Sequence, residues 1–169
     1  EDADDDVIAG ALMVDVGGSV GHLGDRMSWV DVSTDRLALR AAGGAAVNAS
    51  RALTLGTLSG EFGRVSAIGQ SALGNPIAGG ELVKHTVSLS GLSTGSGTQP
   101  TGAVIKVTAG DLAVDSAVDT RGPLRLAVTE AGRALSLRDG ATIGTHGAAA
   151  TLVSAGGLDL RAGSRIASE

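Results

Sequence analysis

Val107-Thr108-Ala109-Gly110-Asp111-Leu112-Ala113-Val114 recurs in altered form as Val128-Thr129-Glu130-Ala131-Gly132-Arg133-Ala134-Leu135-Ser136-Leu137, and again as Val153-Ser154-Ala155-Gly156-Gly157-Leu158-Asp159-Leu160. The shared form is a Val-Thr/Ser pair, an Ala-Gly corner and then Leu-x-Val/Leu. Leu112, Leu135 and Leu158 stand 23 residues apart, and Leu89 lies 23 before the first of them. Self-similarity at such a spacing marks repeat architectures, in which each unit buries its apolar face against its neighbours.

Outward from this stretch the same grammar continues. Val32-Ser33 leads to Leu37-Ala38-Leu39, and Val47-Asn48 leads to Leu53-Thr54-Leu55, here with a spacing of 16. Apolar and polar residues alternate in runs such as Leu124-Arg125-Leu126-Ala127-Val128, which is the period of a strand. Glycines punctuate the runs at Gly43-Gly44, Gly79-Gly80, Gly110, Gly122-Pro123 and Gly156-Gly157, as tight corners require. No long window shows helical periodicity; a short helix or cap is expected only near Glu1 to Gly10.

These features predict an all-β chain, a β-solenoid with coils of about 20 to 25 residues. Residues 1–10 are expected to form an acidic tail or edge. Residues 11–169 are expected to hold about seven coils, a rod of about 34 Å at the usual strand spacing, with a loop excursion near 90–101. Leu89, Leu112, Leu135 and Leu158 are assigned to one inward column, Val114, Leu137 and Leu160 to its neighbour, and Gly110, Gly132 and Gly156 to corners. The alternative all-β reading is a β-sandwich of seven or eight short strands.

Composition narrows the function. The chain has 169 residues with 27 glycines, no cysteine, and aromatic residues at only 1%: Trp29 and Phe62. Disulfides and thiolate metal sites are excluded. Scarce rings argue against sugar and nucleic-acid clefts, and a net charge of -5 has the wrong sign for a phosphate backbone. The longest apolar runs fall far short of the roughly 20 residues of a membrane helix, so no membrane span is expected. Opening on Glu1 and ending inside a continuing pattern, the sequence is expected to be a piece of a longer chain.

Gly156-Gly157-Leu158-Asp159-Leu160-Arg161-Ala162-Gly163-Ser164 resembles the coils of large repetitive bacterial exoproteins of the filamentous-haemagglutinin and giant surface adhesin kind. Gly17-Gly18-Ser19-Val20-Gly21, Val30-Asp31-Val32-Ser33-Thr34-Asp35-Arg36-Leu37 and Arg51-Ala52-Leu53-Thr54-Leu55-Gly56 are similar to another of their recurring units. The resemblance covers about two thirds of the chain. It implies a right-handed parallel β-helix, secretion to the bacterial cell surface, and a structural or adhesive role as stalk, scaffold or filament unit. The implied partners are neighbouring coils, copies of the chain end to end, and a host or matrix surface. Only Asn48 and Asn75 occur, so the interior amide ladders common in such proteins are not expected.

Candidate chemistry is sparse, and no residue is assigned a catalytic role. Asp2, Asp4, Asp5 and Asp6 offer hard oxygen ligands for calcium, the one cofactor for which the sequence has a candidate set; otherwise they are a solvated terminus. A polysaccharide-active β-helix enzyme would draw on Asp111, Asp115 and Asp119 with Arg121 or Arg125, residue types that divide acid and base roles. His22, His85 and His146 would make a metal trio only if three coils stacked them on one face. Gly95-Ser96-Gly97 lies in a Ser/Gly/Thr-rich stretch and is no nucleophile elbow. Asn48-Ala49-Ser50 matches a glycosylation acceptor, incidental in a bacterial protein.

Overall fold

A computed structural model describes residues 4–24, 28–65, 82–95 and 101–168. It is all-β, with sixteen strands and no α-helix among the described residues. Two compact units are present: residues 1–58 with 89–169, and residues 59–88.

The larger unit is a solenoid-like stack in which every strand pairing is parallel. Its first two layers are long strands, β1 (Val7–Val16) and β2 (Val30–Ala41). Each later layer is three short strands: β3 (Ala45–Ala49), β4 (Leu53–Leu55) and β7 (Leu92–Thr94); then β8 (Ala103–Val107), β9 (Leu112–Val114) and β10 (Val118–Thr120). These are followed by β11 (Leu124–Val128), β12 (Ala134–Leu137) and β13 (Thr142–Gly144), and by β14 (Ala150–Ser154), β15 (Gly157–Leu160) and β16 (Arg165–Ala167).

The pairings sort into three ladders. The first runs β2-β3-β8-β11-β14, the second β2-β4-β9-β12-β15 and the third β2-β7-β10-β13-β16. β2 is long enough to open all three, through Val30–Val32, Arg36–Leu37 and Leu39–Ala41 in turn, and β1 pairs with it throughout. Among the described residues there are thus six layers, roughly 24 Å from first strand to last. Wholly parallel pairing is not the antiparallel order of a sandwich.

Alternation places one side of each ladder inside. In the second and third ladders this gives the aliphatic columns Leu53-Leu112-Leu135-Leu158, Leu37-Leu55-Val114-Leu137-Leu160, and Leu39-Leu92-Val118-Ile143-Ile166. All but the last-layer members are buried. Small aliphatic side chains suit so narrow an interior, because each must pack against the layers above and below without a ring's bulk.

Several expectations need correction. Leu89 is buried but lies in β6, and Leu53 takes the place expected for it, 59 residues before Leu112. The cause is an excursion: after β4 the chain leaves through β5 (Thr57–Val65), returns through β6 (Leu82–Ser90) and resumes the layer at β7. The expected excursion near 90–101 therefore overlaps a true layer strand, and its residues 96–100 lie outside those described. Of the expected tail or edge at 1–10, Val7 onward is edge: Val7–Val16 is a strand at the end of the stack, and no helix forms there. Leu37 pairs with Leu55, a step of 18 rather than 16. Val128 pairs with Ser154, so the Val153-Ser154 match is one residue out of step, and a slip of one reverses inside and outside.

The corners have two physical causes. Gly110 and Gly132 turn with φ of 88° and 76°, a region glycine enters without a Cβ clash. Gly156 needs smallness instead: a Cβ there would lie 2.5 Å from the Gly132 carbonyl carbon and 2.6 Å from the Arg133 oxygen. Threonine supplies the other recurring device. Thr94 and Thr120 are in register, Thr145 follows the next strand in the same ladder, and all three are buried. Their hydroxyls donate to corner carbonyls at Thr101 (3.1 Å), Gly122 (2.9 Å) and Ala148 (2.6 Å), so corner oxygens that are fully buried at Gly122 and partly buried at the other two keep a partner.

The smaller unit is a two-stranded ribbon of β5 and β6. Ser59 bonds Ser88 (3.0 Å) and Lys84 bonds Glu61 (3.2 Å), one index rising as the other falls, so the strands are antiparallel.

Candidate functional site

The last layer is the first feature that invites a partner. β15 is exposed along its whole length, and Leu158, Leu160 and Ile166 are 50%, 53% and 43% exposed. Each continues a column whose previous member, Leu135, Leu137 or Ile143, is at most 1% exposed. The geometry that buries one layer is repeated in the next with no strand over it among the described residues. At the opposite end β1 pairs with β2 alone among the described residues, and Ile8 is 77% exposed. Both ends thus present strand edges whose backbone groups can accept another strand.

A groove with mixed polar and apolar walls lies on the third ladder. It encloses about 640 Å³ and is lined by Asp119, Thr142, His146 and Arg165 among others. A tight turn builds it: Thr145 to Ala148 closes with an N–H···O bond of 3.0 Å, and φ is positive at both central residues, 46° at His146 and 84° at Gly147. Positive φ at both positions defines a type I′ turn, and histidine is among the few side chains that tolerate it. His146 is the one non-glycine with positive φ among the described residues. The turn carries the imidazole back one layer, where Nε2 lies 2.7 Å from Asp119 Oδ1. Asp119 can thereby fix the ring tautomer and orientation, as a carboxylate does for a base or a metal-binding histidine. Asp119 is its sole hydrogen-bond partner among the described residues, so no nucleophile is paired with it there.

The other named candidates do not converge. Asp111 Oδ1 accepts from the Ala134 amide (2.8 Å) and stitches one layer to the next. Asp115 lies between Arg36 (3.6 Å) and Arg138 (3.7 Å). Arg121 is exposed at the corner after β10, and Arg125 faces out from the first ladder. His22 accepts from the Gly24 amide within its own turn (3.1 Å), and His85 belongs to the β5–β6 ribbon. Asp2 lies outside the described residues. Asp5 accepts from Ser50 Oγ (3.1 Å) and Asp6 from the Asp31 amide (2.9 Å), so these two carboxylates are docked on the neighbouring layers, while Asp4 is exposed. No group of three or more histidine, aspartate or glutamate side chains comes together to hold a metal among the described residues.

Sequence reading missed the Asp119–His146 pair because its members are 27 residues apart and neither sits in a motif; only the layer spacing of about 25 would have found it. Compared with protein-family models, with curated proteins and with solved structures, the chain matches none.

Proposed function

We propose that this chain is a structural segment of a large secreted bacterial surface protein, a right-handed parallel β-helix serving as adhesin stalk, scaffold or extracellular filament unit. Its last layer receives a further layer of the same kind, from a neighbouring coil or from a second copy set end to end. The observation that carries this reading is the outer face of β15 and β16. Leu158, Leu160 and Ile166 extend three buried columns into solvent, beside strand edges still able to pair. Burying such aliphatic side chains contributes about 1.5 to 3 kcal/mol each, and pairing the edge adds specificity of register.

Sedimentation across a concentration series, with electron microscopy of the same samples, tests it. Growth into rods, abolished by Leu160→Asp with Ile166→Asp, is the expected result. A monodisperse 16.5 kDa particle at every concentration, with slow amide exchange in β1 and β15, would sink the proposal.

A further inference from the structure

The outward side of the first ladder forms a trough. In β8 and β11, Ile105, Leu126 and their alternates point inward, which turns Val104, Lys106, Arg125 and Ala127 outward. Leu23 and Trp29 stand against these side chains from the stretch between β1 and β2, and together they enclose a groove of about 610 Å³. Past Leu23 and Val104 a second hollow of about 400 Å³ continues toward Thr101 and Pro123. The run from Pro123 to Thr129 is roughly 20 Å of extended chain, long enough for a polymer rather than a single small anion.

Charge singles this trough out. Arg36, Arg40, Arg51, Arg133, Arg138 and Arg161 each hold a carboxylate, whereas Lys106 and Arg125 hold none among the described residues, in a chain of net charge -5. Arg125 pairs with Val104, two residues before Lys106, so the two cations are rooted about 8 Å apart on one surface.

We propose that this trough binds an acidic polysaccharide, with sugar carboxylates held by Lys106 and Arg125 and a sugar ring set against Trp29. Arginine grips a carboxylate through parallel N–H···O bonds, and an indole offers an apolar face with a polar edge. An acidic peptide fits less well, since peptides join sheets at free edges and β8 and β11 are paired on both sides. Poverty in rings argued against sugar clefts for the chain as a whole; its single tryptophan lies in this one.

Trp29 is also the reporter, because the chain has one tryptophan and no tyrosine. The full chain is titrated at fixed ionic strength with a short oligogalacturonate, followed by tryptophan emission and by calorimetry. Controls are its methyl ester, sodium sulfate and an oligoglutamate. Saturable binding of the free acid alone is expected, weakened about ten-fold or more in the Lys106→Gln, Arg125→Gln double variant, with melting unchanged because both side chains face outward. Absence of heat and emission change overturns the proposal, as does equal binding of the ester or unaltered binding by the variant. Equal binding of sulfate would mean an adventitious anion only, and equal binding of oligoglutamate a peptide site.

Discussion

Arg36 reaches across the bare backbone of Gly56 to Asp115, spanning an entire layer to a separation of 3.6 Å. Gly56 leaves that path open: a Cβ there would lie 3.1 Å from the guanidinium. Arg138, from the layer beyond, approaches the same carboxylate at 3.7 Å. One aspartate thus ties three layers, but through partly solvated contacts. Asp115→Ala should cost about 1 kcal/mol or less at low salt, and most of that loss should vanish in 1 M sodium chloride. Thermal melts at both salt concentrations measure it; a large, salt-independent loss would mean that Asp115 acts through something other than these ion pairs.

Leu135 and Leu158 are direct register partners with opposite exposures, 0% and 50%. Leu135→Asp places an unpaired carboxylate between layers and should cost more than about 3 kcal/mol, enough to open the stack around it. Leu158→Asp should leave the monomer's unfolding free energy, from denaturant melts, within about 0.5 kcal/mol of the parent. Equal effects of the two changes would refute the assigned order of the column.

Thr120 is fully buried, and its hydroxyl serves the Gly122 carbonyl. Thr120→Val keeps the shape and removes the donor, so the loss should be about 1 to 3 kcal/mol, the cost of a stranded buried acceptor. Thr120→Ser keeps the donor and should restore part of it. Denaturation curves for the pair separate hydrogen bonding from packing.

Asp15 and Arg40 face each other on β1 and β2, with Arg40 Nε donating to Asp15 Oδ1 at 2.8 Å and a second bond beside it. Hydrogen bonding from Arg40, with a lesser contribution from its charge, holds the Asp15 carboxyl below its ordinary range against the opposing effect of desolvation. A carboxyl whose pKa is lower folded than unfolded stabilises the fold above its unfolded value, near about 4, and loses that contribution as pH falls through the folded value. Carboxyl carbon NMR should show Asp15 titrating below a model aspartate, and Arg40→Gln should return it toward normal. An unmoved titration would show that the pair is not formed in solution.

How far the sequence discloses this molecule follows from which signals are local. Period-two alternation and glycine corners are local, so short strands and the Leu112, Leu135 and Leu158 register were legible. Leu89 misled because 23 residues happened to separate it from Leu112, while the genuine partner, Leu53, lay behind an excursion that no periodicity announces. The threonine corners were hidden for another reason: Thr94, Thr120 and Thr145 resemble ordinary turn residues until stacking buries them. The grooves were least legible of all. Lys106, Arg125 and Trp29 become neighbours only when the layers are superimposed, as do Asp119 and His146.

The ribbon of residues 59–88 departs and returns within one layer, and the exit and re-entry points are held together by a 2.7 Å bond between the hydroxyls of Thr57 and Ser90. A gate with adjacent posts makes the length between them nearly irrelevant, because loop-closure entropy grows only logarithmically. That opening is therefore an insertion port: foreign sequence whose own ends lie close together can replace the ribbon while Leu55, Leu92 and the layers beneath them keep their register.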